Sequence, residues 1–219
     1  MKDVEECHNE IERWHKFALQ SFTAYQALRI ATAPNKVGRE TAQENSDAIK
    51  KYYDAFMAFQ NASRIASFSN LTKIFIGYQN SKTGKTALSL DFLLQELEKA
   101  QNLPNFDKEY AAQLKRSLKY SEKVKELRKL RNQQIAHIDL SPDSVSFSDK
   151  HFKNLLGLSN KILMFSNWCI NGGEQTGKYY ETVSNHIDMD VSALLNTLKV
   201  AQAYPDEFNN IANKYWQDH

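Results

Sequence analysis

The sequence is poor in the residues that interrupt helices. It has seven Gly and four Pro in 219 residues, and no segment shows the alternation of apolar and polar residues that is typical of a strand. Internal repeats and low-complexity tracts are also missing. We therefore expect an all-α fold. The length suits a single domain over residues 1–219, with a core at about 3–171 and a helical extension at about 172–219.

Long apolar runs and a cysteine framework are missing as well. No run approaches the roughly 18 apolar residues that a membrane-spanning helix needs, and the charged residues 1–10 do not resemble a signal peptide. The two cysteines, Cys7 and Cys169, lack the CxxC spacing of a metal or redox site. We expect free thiols in a reducing cytoplasm and no contact with a membrane.

What the sequence does contain is apolar residues at helical spacing. They predict a bundle of long antiparallel helices with additional C-terminal helices. The expected helices cover residues 3–33, about 41–76 with one interruption, 89–102, 110–139, about 148–169, and a last helix from residue 190. We expect Ser89 to cap the third helix and Asp107 to cap the fourth.

One charge is out of place in the helix expected over residues 110–139. At about 100° per residue, the apolar side chains of this helix form one narrow stripe, which consists of Tyr120, Val124, Leu127, Ile135 and Ile138. Arg131 projects from the middle of that stripe, whereas Arg128, Lys129 and Asn132 point elsewhere. A guanidinium on a packed side is costly unless it is paired, hydrogen-bonded or open to a cleft or a partner. We therefore expect Arg131 to have a functional role.

His137 follows on the same helix, and Arg131, His137 and Gln134 can line one groove.

RNA carries its own nucleophile, the 2′-hydroxyl next to the scissile phosphate, so a protein can cleave it without a metal. Cleavage needs a general acid or base, which His supplies near neutral pH, and a cation for the developing phosphate charge, for which Arg offers a planar fork. Asn132 can bind a phosphate or hold the His tautomer, and Asp139 can orient the imidazole.

The segment RNQQIAHID at residues 131–139 resembles the signature of the HEPN superfamily. In those proteins an Arg and a polar residue, usually Asn, precede a His near the end of the third long helix of a bundle. The residues IAHID in this segment are most similar to the abortive-infection U type (AbiU-like) of HEPN proteins, which is found in bacterial phage defence. The resemblance implies an endoribonuclease or toxin with RNA as substrate, no cofactor, and an antitoxin as a candidate partner. It also implies a homodimer with one composite site, in which Arg131, His137 and Asn132 are catalytic and Asp139 and Gln134 support them.

A non-catalytic function stays open beside this one. In a helical scaffold, Arg131 and His137 would fix a dimer or bind a nucleotide. The scaffold predicts that Arg131 is buried in a complete ion pair, whereas catalysis predicts that both side chains are reachable from solvent in a positive cleft.

Metal and nucleotide chemistry have weaker support in the sequence. His8, Glu12 and His15 lie on one side of the first helix but lack a fourth ligand, so we interpret them as a solvated surface rather than a metal site. The GKT at residues 84–86 lacks the preceding strand and the glycine spacing of a phosphate-binding loop.

Overall fold

The computed structural model describes residues 2–76, 88–100, 103, 105–136, 148–172 and 191–199. Within these residues the regular structure is entirely helical, which confirms the all-α prediction. The helices are α1 (Lys2–Ala31), α2 (Pro34–Val37), α3 (Arg39–Lys50), α4 (Tyr53–Ile76), α5 (Leu90–Lys99), α6 (Lys108–Tyr120), α7 (Glu122–Ala136), α8 (Asp149–Asn171) and α9 (191–199). No helix among them is both long enough and apolar enough to cross a bilayer.

Short polar side chains and one glycine set several helix ends. The Ser89 hydroxyl accepts a hydrogen bond from the Phe92 amide at 3.2 Å, and the Asp107 carboxylate accepts one from the Tyr110 amide at 3.0 Å. Both are N-caps, as the sequence predicts. α8 ends at Gly172, whose φ of 66° is the left-handed conformation that glycine adopts without strain.

The helix expected over residues 110–139 is divided in two, so the prediction of one continuous helix is wrong. Ser121 separates α6 from α7 with φ −67° and ψ 114°, which is an extended backbone conformation. Its hydroxyl accepts a hydrogen bond from the Val124 amide at 3.3 Å, and Glu122 places an acidic group in the first turn of α7. Ser121 therefore caps a new helix. The interruption also changes the predicted apolar stripe, because Tyr120 is 64% exposed.

The chain divides into two compact units. The first comprises Met1–Ser21 and Ile65–Glu181, and the second comprises Phe22–Arg64 and Thr182–His219. The expectation of one domain with a C-terminal extension stays a prediction.

The first unit has an aliphatic core. Helix α5 packs on α6 and α8, and α7 packs on α8. The α5 side chains Leu90, Leu93, Leu94 and Leu97 are fully buried, as their spacing predicts. Burial of each such side chain contributes roughly 1.5–3 kcal/mol to folding. Cys7 and Cys169 are free and buried in this unit, and burial raises the pKa of the Cys7 thiol to about 12.

Two buried histidines of α1 bind two serines of α8. His8 Nδ1 lies 3.0 Å from Ser166 Oγ, and His15 Nδ1 lies 2.6 Å from Ser159 Oγ. Because the earlier histidine binds the later serine, α1 and α8 run antiparallel. His8 is 4% exposed and His15 is 1% exposed, so the prediction that these side chains face solvent with Glu12 is wrong.

Burial of these two imidazoles has an electrostatic consequence. Loss of hydration disfavours the imidazolium, so the pKa of His15 is lowered from 6.5 to about 4. The pKa of His8 is also lowered, mainly by burial. Both side chains are therefore neutral in the folded protein near pH 7.

The second unit has a smaller core. Ala31, Ile49 and Leu195 form a buried cluster against which Phe56 and Val191 pack. The Asn45 amide donates a hydrogen bond of 2.7 Å to the Ala31 carbonyl. The bond gives a partner to a backbone carbonyl at the C-terminal end of α1, and its donor lies on α3.

Candidate functional site

Helix α7 presents the candidate site from a well-packed base. Val124 is 6% exposed and Leu127 is 0% exposed, and they lie on the side of α7 that packs in the first unit. Glu126 Oε2 on the same helix lies 3.5 Å from His151 Nδ1 of α8. The packing of Leu127 holds the helix one turn before Arg131.

Arg131 lies half-buried next to the exposed Asn132. The Asn132 amide oxygen accepts two hydrogen bonds from the guanidinium, at 3.2 Å from Nε and 2.9 Å from Nη2. The contact between Asn132 and Arg131 was not among the predictions. One amide oxygen thus holds the Nε and Nη2 edge of the planar guanidinium.

The guanidinium has a neutral partner and not a carboxylate, as far as the structure describes the chain. In that part of the chain Asn132 is the sole hydrogen-bond partner of Arg131, and no ion pair is formed. A cation in this arrangement keeps its full charge and several N–H donors. The ion pair that the scaffold function predicts stays a prediction, because Asp139 lies outside the described residues.

The other predicted site residues fall at or beyond the described end of α7. Gln134 lies on α7, but its side chain is outside the described residues, and His137 and Asp139 are wholly outside them. Of the five residues predicted for the site, the structure thus brings together Arg131 and Asn132. The roles of Gln134, His137 and Asp139 stay predictions.

The described residues contain no metal site. Among the described ranges, no group of three His, Cys, Asp or Glu side chains is arranged to hold a metal ion. His8 and His15 are instead hydrogen-bonded to serines within the core.

A second feature was not predicted as a site. Where α6 meets α7, a groove with a volume of about 470 Å³ is lined by five cationic side chains and one carboxylate, that of Asp91. The cations are Lys115, Arg116, Lys119, Lys125 and Arg128, and we call this feature the basic groove. Its sequence signal is the run from residue 115 to 131, which has eight Lys or Arg and two Glu. A charge run by itself is typical of a solvated surface, and the sequence does not show that this one lines a concave surface together with Phe75 of α4 and Asp91 of α5.

Comparison with known families identifies a match over most of the chain. The family model HEPN_AbiU2, described as AbiU2, matches residues 3–190. Neither the curated proteins nor the solved structures contain a match. The matched range includes the described helices from α1 to α8 almost completely, together with the RNQQIAHID segment.

Proposed function

Because the chain belongs to the AbiU2 family of HEPN proteins, we propose that it is a metal-independent endoribonuclease that acts in phage defence or as a toxin. Family membership supports an abortive-infection setting. The observation that carries the catalytic part of the proposal is the Arg131 guanidinium, half-buried and held by Asn132 with no described carboxylate beside it.

A guanidinium in this state suits a phosphodiester. Its charge is not neutralised by a described side chain, and its planar fork matches two phosphate oxygens. Asn132 holds the Nε and Nη2 edge of the guanidinium before a ligand binds. The Arg131 side chain therefore loses less conformational entropy on binding than an unrestrained side chain would. Arg131 would then stabilise the extra negative charge of the phosphorane-like transition state.

His137 completes the proposed chemistry. As a base it removes the proton of the RNA 2′-hydroxyl, and the 2′-oxygen attacks the adjacent phosphorus. The bond from phosphorus to the 5′-oxygen breaks, and that oxygen takes up a proton from an acid. The products are a 2′,3′-cyclic phosphate and a free 5′-hydroxyl. Asp139 and Gln134 would orient the imidazole.

A homodimer would supply two copies of His137 to one composite site. One imidazole would then act as the base and the other as the acid, while two copies of Arg131 flank the phosphate. RNA is the proposed substrate, and an antitoxin that covers the site is a proposed partner. The alternative is a non-catalytic scaffold, in which Arg131 would form a complete ion pair.

The direct test is cleavage of a mixed RNA pool by the purified protein in the presence of EDTA. We expect cleavage with 2′,3′-cyclic phosphate ends, because no step uses a metal. Cleavage that EDTA abolishes, or products that carry 3′-hydroxyl ends, would contradict the proposed mechanism. Complete absence of cleavage on single-stranded, structured and transfer RNA would favour the scaffold.

Asn132 gives a more specific prediction. We expect Asn132→Ala to lower kcat/KM by about thirtyfold, because the guanidinium loses the two hydrogen bonds that orient it, each with a net value of about 1 kcal/mol. The measurement is the initial rate of cleavage of a short RNA with one cleavage site.

The control for this prediction is Asn132→Asp, which keeps an acceptor at the same place but adds a charge. It would pair with the guanidinium and compete with phosphate, so we expect a larger loss, mainly in KM. Equal activities of wild type and both variants would show that the contact between Asn132 and Arg131 has no part in catalysis.

A further inference from the structure

The basic groove has a shape and a floor that distinguish it from a simple charged surface. Its apolar lining residues are Phe75, Leu118 and Val124, and all three are buried. Its walls come from the last turns of α6 and the first turns of α7. A concave apolar floor between cationic walls fits an extended ligand that is both polyanionic and partly planar.

The cations of the basic groove differ in how they are neutralised. Lys115 is paired with Glu98, and Lys125 lies 2.6 Å from Glu122. Both carboxylates are solvent-exposed, at 49% and 71%, and such pairs contribute little to stability and are readily exchanged.

Two other cations of the groove have no such partner. Arg116 and Arg128 are exposed and make no hydrogen bond or ion pair with the described part of the chain. Together with Lys119, which also forms no ion pair with the described part of the chain, they outnumber the one carboxylate of the groove, that of Asp91.

Tyr120 adds an aromatic surface to the groove. It is 64% exposed at the end of α6, and the Lys119 ammonium lies 5.6 Å from the centre of its ring. Exposed aromatic rings between cations are the platforms on which the bases of single-stranded nucleic acids stack, whereas an acidic peptide needs only the cations. The groove thus favours a single-stranded nucleic acid over an acidic protein segment.

The groove also lies next to the candidate site. Arg128 lines it, and Arg131 follows three residues later on α7, a rise of about 4.5 Å along the helix axis. A strand whose phosphate contacts Arg128 can therefore place a neighbouring phosphate at Arg131.

We propose that the basic groove at the junction of α6 and α7 binds the phosphodiester backbone of single-stranded RNA and delivers the scissile phosphate to Arg131. Arg116 and Arg128 contact phosphates, and Tyr120 stacks on a base. The delivery step rests on the proposed ribonuclease function, whereas the binding step does not.

The test uses the full chain and a short fluorescent single-stranded RNA with 2′-O-methyl groups throughout, which blocks the nucleophile and prevents cleavage. Fluorescence anisotropy gives the affinity over a range of salt concentrations. We expect Arg116→Glu with Arg128→Glu to weaken binding by about tenfold or more and to lower the salt dependence of log K by about 1.4, since two phosphate contacts are lost. Arg116→Gln with Arg128→Gln should show the same trend to a smaller degree, and it remains informative if the Glu variant does not fold.

The matched control is Lys153→Glu with Lys161→Glu, the same charge change at two exposed residues of α8. It should keep the wild-type affinity within about twofold, because these residues do not line the groove. Tyr120→Ala should weaken binding with an unchanged salt dependence, and Tyr120→Phe should behave as wild type. Equal weakening by the groove and control variants, no binding by the wild type, or binding of polyglutamate in place of RNA would each overturn the proposal.

The same variants separate this inference from the ribonuclease function. Groove-dependent binding with no cleavage of natural RNA would refute catalysis and leave the groove as an RNA-binding site. Cleavage of natural RNA at equal rates by the wild type and the groove variants, at RNA concentrations well below KM, would refute the groove and leave catalysis intact.

Discussion

Replacement of Arg131 by Ala is expected to lower RNA cleavage by about a thousandfold, the cost of removing a donor aimed at a developing negative charge. The variant keeps the other side chains that bind RNA, so binding of the substrate should change little. Most of the loss should therefore appear in kcat. The measurement is single-turnover cleavage of a short RNA at saturating protein, with circular dichroism as a check on folding.

Two further variants make this expectation sharper. Arg131→Lys keeps the charge but loses the planar fork that Asn132 holds by two hydrogen bonds, so we expect only partial activity. Lys129→Ala removes an exposed cation of the same helix and should change the rate by about twofold at most. If Arg131→Ala cleaves RNA as fast as wild type, Arg131 is not catalytic. If it abolishes dimerisation as well as cleavage, the scaffold becomes the better interpretation.

Acidification is expected to destabilise the first unit. The pKa of His15 is about 4 in the folded protein and 6.5 as a free side chain. Below pH 6.5 the unfolded chain therefore binds a proton that the folded chain excludes, and stability falls as the pH falls. The loss from His15 is about 2 kcal/mol at pH 5 and about 3 kcal/mol below pH 4. His8 adds to it in the same direction.

Urea unfolding followed by circular dichroism at pH 7.5, 6 and 5 measures this loss in a range where most carboxylates stay ionised. The control is His15→Leu, which removes the titrating group from a site that is 1% exposed. Its free energy of unfolding should depend much less on pH, with His8 responsible for what remains. A wild-type protein whose stability is the same at pH 7.5 and pH 5 would show that His15 is accessible to protons in the folded state.

The parts of the fold that the sequence predicts are those determined by neighbours along the chain. The leucines of α5 are buried, and Ser89 and Asp107 cap their helices, because three- and four-residue spacings and N-caps act within one or two turns. The family resemblance also rests on a short local segment, residues 131–139, and the match over residues 3–190 agrees with it.

The parts that were missed depend on contacts between distant segments. The partners of His8 and His15 are 158 and 144 positions away, so nothing in the pattern of α1 distinguishes a buried imidazole from a solvated one.

Two misses in the site helix have a more local cause. The helical spacing of apolar residues continues on both sides of Ser121, so the pattern gives no sign of a helix end there. A serine is compatible both with the surface of a helix and with an N-cap. The Asn132 contact depends on a rotamer, since an adjacent residue on a helix normally points about 100° away.

The two contacts between α1 and α8 also restrict how the helices can be aligned. The histidines are seven residues apart, as are the serines, so both pairs form together in only one relative position. Sliding α1 along α8 by one helical turn would still bring aliphatic side chains together, but it would leave two imidazoles buried without these hydrogen-bond partners, at a cost of roughly 1–3 kcal/mol each. Apolar contacts favour association without much selectivity for position. The serines supply that selectivity, and a variant with all four residues apolar is expected to pack in more than one register.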